Sequence, residues 1–242
     1  MVETVQIVVG GSPMSMFVAT PAGGGKGPGV LVSHHQNGLS EMTRIMVEKF
    51  ASEGFTAVAP DHYHRTPELP DIAAKKKVVT DENLIVDMKA AVDWLRAHPR
   101  VDPNQTIITG YCMGGRHTLL GAATIPGFRA AGDFYGGGVM NARGGGPTVF
   151  ERLSGITCPV GGWFGLDDHN PPPDEARKVE AELKRLGVPV EDFVFYKDTG
   201  HGFMDPTMGP PKYNAASAED AWTRSMAFFR RCLGEAQRSA AE

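Results

Sequence analysis

Short apolar runs alternate along this chain with segments whose apolar residues recur every three or four positions. That is the pattern of a mostly parallel sheet with helices on both faces. Val30-Leu31-Val32, Thr56 to Ala59, Thr106 to Thr109, Ala131 to Tyr135, Pro159 to Phe164 and Asp192 to Tyr196 read as strands. Between them, Met42, Ile45, Met46, Phe50 and Ala51 share one helical face, with Ser40 as a candidate cap and Gly54 as the stop. Leu84, Ile85, Met88, Ala91, Val92 and Leu95 form a strong amphipathic stripe. Further helices are expected from Met113 to about Ala123, along Ala176, Val179, Leu183 and Leu186, and along Trp222, Met226, Phe229 and Leu233. The pattern gives about seven or eight strands and six helices, with no repeat and no linker. One α/β domain over residues 1–242 is therefore expected.

Composition narrows the function classes. At 242 residues the chain can bury one sizeable core. A formal net charge of −4 gives no electrostatic case for nucleic acid or an anionic membrane. There is no apolar stretch of about 18 residues to span a bilayer. The start, MVETVQIVVGG, has no basic stretch leading into a long apolar one, so a cytoplasmic protein is expected. The three cysteines, Cys112, Cys158 and Cys232, are too widely spaced for a disulfide framework or a zinc motif.

One segment carries chemistry. Ile107-Ile108-Thr109-Gly110-Tyr111-Cys112-Met113-Gly114-Gly115 reads as strand, sharp turn and helix, the pattern Gly-x-Ser-x-Gly with cysteine at the nucleophile position. Such a turn strains the nucleophile's backbone and crowds the residues two positions away, so Gly110 and Gly114 are required there. It places the sulfur at a helix N-terminus, which favours a thiolate, and aims the backbone N–H of Met113 at a developing oxyanion. A buried structural cysteine in a glycine-rich turn is the alternative.

Two loops downstream of this elbow favour catalysis. Nucleophile, acid, histidine is the order of α/β hydrolases. Phe164-Gly165-Leu166-Asp167-Asp168-His169 leaves one strand, and Tyr196-Lys197-Asp198-Thr199-Gly200-His201-Gly202-Phe203 leaves another. His201 is expected as the base and Asp168 as the group that orients it, with Asp167 as the rival acid. A second oxyanion donor, the backbone N–H of Gln36, is expected from Ser33-His34-His35-Gln36-Asn37-Gly38.

These segments resemble the dienelactone hydrolase (carboxymethylenebutenolidase) family of the α/β-hydrolase superfamily. The resemblance runs through Phe17 to Pro21, Gly27 to Val30, Gly54 to Asp61, the cysteine elbow, Phe164 to Asp168, His201-Gly202-Phe203 and the helix around Ala221-Trp222. It implies a three-layer α/β/α fold, a triad of Cys112, Asp168 and His201, and no cofactor. The reaction implied is cleavage of a small activated ester or lactone through an acyl-cysteine. Two departures stand out. His35 occupies the place of a glutamate that contacts the thiol in the family. The segment after His201 continues Met204-Asp205-Pro206, where the family carries an arginine for the substrate carboxylate. Asp205 is expected to repel an anionic lactone.

Other residues admit other readings. His35, Tyr111, Trp163 and Phe203 are candidate pocket residues, with core packing as the alternative. His34, His35, His62 and His64 sit on two loops and invite a metal-dependent hydrolase, although adjacent histidines at a strand end point apart. No metal site is expected. Arg116 is expected in a structural ion pair, and Tyr63 and Arg65 in loop anchoring. Arg143-Gly144-Gly145-Gly146 is expected to be a flexible loop, a candidate lid. Cys158 and Cys232 are expected to be inert. A non-catalytic binding protein on the same fold is the third reading. A monomer or homodimer is expected, and acyl transfer would use the same residues as hydrolysis.

Overall fold

The computed structural model describes residues 1–234. Eight strands form one sheet: β1 (Glu3–Val9), β2 (Ser12–Ala19), β3 (Gly27–Ser33), β4 (Thr56–Pro60), β5 (Val101–Tyr111), β6 (Ala131–Phe134), β7 (Val160–Gly165) and β8 (Val190–Tyr196). Their order is β1-β2-β4-β3-β5-β6-β7-β8. The β1–β2 and β2–β4 pairs are antiparallel and every later pair is parallel. The helices are α1 (Glu41–Ser52), α2 (Ile72–Val78), α3 (Asp81–Ala97), α4 (Met113–Thr124), α5 (Val149–Arg152), α6 (Pro173–Arg185) and α7 (Ala215–Leu233). This is the α/β-hydrolase fold expected from the alternation of runs and stripes.

Side-chain alternation along the central strands builds two cores, one on each face of the sheet. Val30, Val32, Ala57, Ala59 and Ile107 point to the core under α1 and α7, with Phe50, Trp222 and Phe229. Leu31, Val58 and Ile108 point to the other, with Met88 and Leu95 of α3 and Leu119 of α4. Each central strand is buried on both sides, which is why it reads as an unbroken apolar run. The cap expected at Ser40 is present: its side chain accepts from the N–H of Thr43.

The antiparallel β1–β2 pair had no counterpart among the strands read from sequence. In β1 only Val9 is buried, so its apolar residues do not mark a core face. The strand named from Thr106 to Thr109 extends back to Val101.

The parallel strands place their carboxyl ends along one edge. Five loops leave that edge, carrying His35 and Gln36 after β3, Cys112 after β5, Tyr135 after β6, Asp168 after β7 and His201 after β8. Ligands in open α/β sheets bind at such an edge.

Candidate active site

Cys112 sits between β5 and α4 with φ 57° and ψ −120°, a conformation that a side-chain-bearing residue rarely adopts. Its neighbours explain how the turn is held. A Cβ on Gly110 would run into the carbonyl of Gly114, and one on Gly114 into the carbonyl of Ser33. The glycines therefore let α4 begin directly against β3 and β5. Asp133 of β6 lies against the same turn and accepts from the N–H of Gly136 at 2.8 Å. Burial pushes its carboxyl up to about 8, so it sits there protonated at neutral pH.

His201 Nε2 lies 2.9 Å from Cys112 Sγ, and His201 Nδ1 lies 2.8 Å from Asp168 Oδ2. The backbone N–H of Asn170 donates to Asp168 Oδ1 at 2.7 Å, fixing the carboxylate that faces the imidazole. Asp168 is buried and Asp167 is exposed. Of the two adjacent carboxylates, only Asp168 meets the histidine.

The surroundings favour a thiolate–imidazolium pair. Burial pushes the Cys112 thiol up, but the hydrogen bond and charge of His201, together with the backbone N–H groups of Met113 and Gln36, outweigh it and bring the thiol below its usual value. Burial pulls His201 down, while its hydrogen bonds to Asp168 and Cys112 lift it to about 10. The other cysteines move the opposite way. Burial pushes Cys158 up to about 12 and Cys232 up to about 11.

The N–H groups of Met113 and Gln36 thus converge on the sulfur from α4 and from the loop after β3. Tyr63 Oη donates to the carbonyl of Gln36 at 2.8 Å, which holds that loop in place. This is the anchoring role expected of Tyr63.

A cavity of about 300 Å³ opens beside the sulfur, lined in part by His35, Tyr111, Tyr135, His201, Asp205 and Met208. His35 and Tyr111 both border it. Nε2 of His35 is engaged by Ser40 Oγ at 2.6 Å rather than by the sulfur. Burial, then the charge of His34, pulls His35 down to about 4, so it lines the cavity as a neutral ring. Trp163 and Phe203 do not line it. Trp163 is wholly buried on the α7 side of the sheet, stacked on Phe134 with ring centroids 4.6 Å apart. Phe203 packs behind the site against Tyr135 and Tyr196. Both are core residues.

Tyr135 was missed. It borders the cavity at φ 43°, with its ring edge-on to His201, and no local sequence signal announces that conformation. The histidine loops also resolve differently from a metal centre. His34 Nδ1–H donates to the carbonyl of His35, and its Nε2 accepts from the N–H of His62. His62 and His117 share Ser33 Oγ, and His64 pairs with Asp87. Among the described residues, no group of three or more His, Cys, Asp or Glu is placed to hold a metal ion. Nor is any described helix long and apolar enough to cross a membrane.

Arg116 forms the expected ion pair, donating to both oxygens of Asp81 at 2.6 and 2.9 Å inside the protein. The loop at Arg143 is not a free lid at its base. Arg143 N–H donates to Asp81 Oδ2, and its carbonyl accepts from the N–H of Asp81.

The dienelactone hydrolase family profile matches residues 14–233. A provisionally named carboxymethylenebutenolidase of Synechocystis sp. is 29% identical over 225 residues, covering 88% of this chain and 90% of that protein. A provisionally named carboxymethylenebutenolidase of Salmonella typhimurium is 30% identical over 234 residues, covering 93% and 85%. The crystal structure of a provisionally named dienelactone hydrolase from Klebsiella pneumoniae superposes with a TM-score of 0.87 at 28% identity, over 96% of this chain and 98% of that one. The chain belongs to the dienelactone hydrolase family, hydrolases of the α/β-hydrolase fold that act on esters or lactones.

Proposed function

We propose that this protein hydrolyses small activated esters or lactones through a Cys112–His201–Asp168 triad and an acyl-cysteine intermediate. The observation that carries this reading is the line Sγ–Nε2 at 2.9 Å and Nδ1–Oδ2 at 2.8 Å, at a sulfur that also meets two backbone N–H groups. In the resting pair the proton resides on His201 and the thiolate is ready. The thiolate attacks the substrate carbonyl, and the negative charge moves to an oxygen between the N–H groups of Met113 and Gln36. The tetrahedral adduct collapses, the C–O bond breaks, and His201 gives its proton to the departing alkoxide or enolate. Neutral His201 then takes a proton from water. The hydroxide equivalent attacks the thioester, and the acid and free thiolate leave.

Asp168 holds the imidazole with Nε2 toward the sulfur and stabilises its charged form. A cavity of about 300 Å³ is at the small end for a ligand site, which suits short acyl groups. The test is p-nitrophenyl acetate hydrolysis together with mass spectrometry of the rapidly quenched enzyme. An acetyl adduct of about +42 Da on the Cys112 peptide is expected, and turnover should fall by at least about 10⁴-fold in Cys112→Ala. A fully active Cys112→Ala protein would falsify the proposal.

A further inference from the structure

One carboxylate borders the cavity of about 300 Å³ beside Cys112, that of Asp205. Among the described residues no lysine or arginine borders it. Lys76 and Arg143 instead border a second cavity, about 60 Å³, beside Cys112 and Met113. The rest of the larger cavity's wall includes Tyr111, Tyr135, Met42 and Met208.

Asp205 is the unusual member. It is only 4% exposed. Its Oδ1 caps the single turn Pro206–Met208, accepting from the N–H and the hydroxyl of Thr207 at 2.9 and 2.6 Å. That turn accounts for one oxygen. Among the described residues, Oδ2 accepts no hydrogen bond. A buried carboxylate costs free energy unless a cation or enough donors meet it. Three of the other buried aspartates are met in that way: Asp81 by Arg116, Asp87 by Arg65 and His64, and Asp168 by His201. The fourth, Asp133, is turned into the elbow. Asp205 has no ion pair among the described residues. His35 does not supply one, because burial and then the charge of His34 outweigh the pull of Asp205 and leave that ring neutral at pH 7. His201 is committed to Asp168 and Cys112.

We infer that Asp205 binds a cationic group of the substrate, so that the esters this enzyme takes best carry an alkylammonium a few bonds from the reacting carbonyl. This rests on Cys112 being the nucleophile. Oδ2 supplies the counter-charge. The tyrosines and methionines supply the polarisable wall that alkylammonium groups favour. The thiolate and imidazolium of the resting pair offset each other, which leaves Asp205 as the net charge of the cavity. The volume holds such a group together with a short acyl chain. The carboxylate expected to repel an anionic lactone thus attracts a substrate of the opposite sign.

The full-length protein is treated with two methanethiosulfonates, the trimethylammonioethyl reagent and its uncharged tert-butylethyl isostere. The rate at Cys112 is followed by mass spectrometry. In both cases the thiolate attacks the sulfenyl sulfur, a mixed disulfide forms and methanesulfinate leaves, so the probes differ only in charge. Salt at about 0.5 M screens attraction beyond contact range. The cationic-to-neutral rate ratio at Cys112 is expected to exceed that of a simple thiol by about 10-fold, as for one close charge pair. It should fall to the simple-thiol value in Asp205→Asn, whose side-chain oxygen can still cap the turn. A parent ratio no higher than that of a simple thiol, an unchanged ratio in Asp205→Asn, or an equal loss of both rates overturns the cation site. The parent ratio needs no variant. A similar preference in kcat/KM is expected for acetylthiocholine over the uncharged tert-butylethyl thioacetate. Hydrolysis of p-nitrophenyl acetate by the unaltered protein is measured in parallel. Equal kcat/KM for the two thioesters, in a protein active on p-nitrophenyl acetate, overturns the substrate class. Absence of p-nitrophenyl acetate hydrolysis overturns the hydrolytic reading, while the methanethiosulfonate ratio still reports on Asp205.

Discussion

One histidine beside the strand-to-helix elbow, His201, and a buried cluster of three, His34, His62 and His117, are pushed in opposite directions. His201, partly open to the cavity, faces a buried carboxylate and a thiol and is lifted to about 10. His34, His62 and His117 are fully buried with no carboxylate hydrogen-bonded to any of them. Burial holds each below the ordinary imidazole value, and neighbouring rings and arginines push His62 and His117 lower still. The same side chain is thus raised above its ordinary value in one place and is neutral structural packing in the other. What separates them is the Asp168 carboxylate and the Cys112 sulfur that His201 meets, together with the fuller burial of the other three. A count of histidines along the sequence cannot make that distinction, and it is why two histidine-rich loops resembled a metal site.

The sharpest way to break the contrast is to remove the carboxylate. Asp168→Asn should lower kcat/KM for p-nitrophenyl acetate by about 10²- to 10³-fold, because the imidazole loses the partner that orients and charges it. Asp167→Asn should stay within about threefold of the parent. Equal losses would mean that the wrong carboxylate is paired.

The pH dependence sharpens the active half. Iodoacetamide alkylation of Cys112 should persist below the pH at which an ordinary thiol, with pKa about 8.5, stops reacting. The kcat/KM profile should fall on the alkaline side near pH 10, as His201 loses its proton. An alkylation profile that rises only above about pH 8.5 would exclude a resting ion pair.

The neutral half is expected to govern acid stability. His34, His62 and His117 bind protons in the unfolded chain near pH 6.5 but resist them in the fold. Stability should therefore decline as pH falls below about 6.5, by about 1.4 kcal/mol per pH unit for each histidine kept neutral. His201 works in a separate window. Its contribution is fully present below pH 6.5 and fades as pH rises toward 10. Urea titrations between about pH 7 and pH 4 would show the decline, and His117→Asn should reduce the slope by about one proton. A flat profile would mean that the buried rings accept protons freely.

The smallest effect is expected at Tyr111. Its hydroxyl is buried and unpartnered among the described residues, so Tyr111→Phe should change stability by no more than about 1 kcal/mol in either direction. A larger loss would reveal a partner for that oxygen.

Much of the fold was legible because the sheet is buried on both faces. Strands such as Val30-Leu31-Val32 announce themselves by being unrelievedly apolar, and α3 by its stripe. The same property hides orientation: with every residue of β7 buried, nothing distinguishes the face of Trp163 that meets α7 from a face that meets substrate. The elbow was legible because its glycines are forced by contact with Ser33 and Gly114. Chain order then pointed to Cys112, to His201 and to an acid at Asp168 or its rival Asp167, and the family resemblance implied Asp168. Tyr135 and Arg143 were not matched to the cavities because they enter through loops, one by a left-handed backbone and the other by ties to Asp81 from a distant helix. The glycines beside Arg143 suggested mobility. The ion pair expected for Arg116 turned out to be what fastens that loop.

The crowding around Gly110 and Gly114 has a practical consequence for anyone seeking to redirect this enzyme. Neither site can accept even a methyl group without displacing backbone, so random libraries spread over the elbow would return mostly unfolded protein. Diversity is better placed at Asn37, Met42, Thr207 and Met208, which border the larger cavity from loops and a helix end where volume can change without disturbing the sulfur.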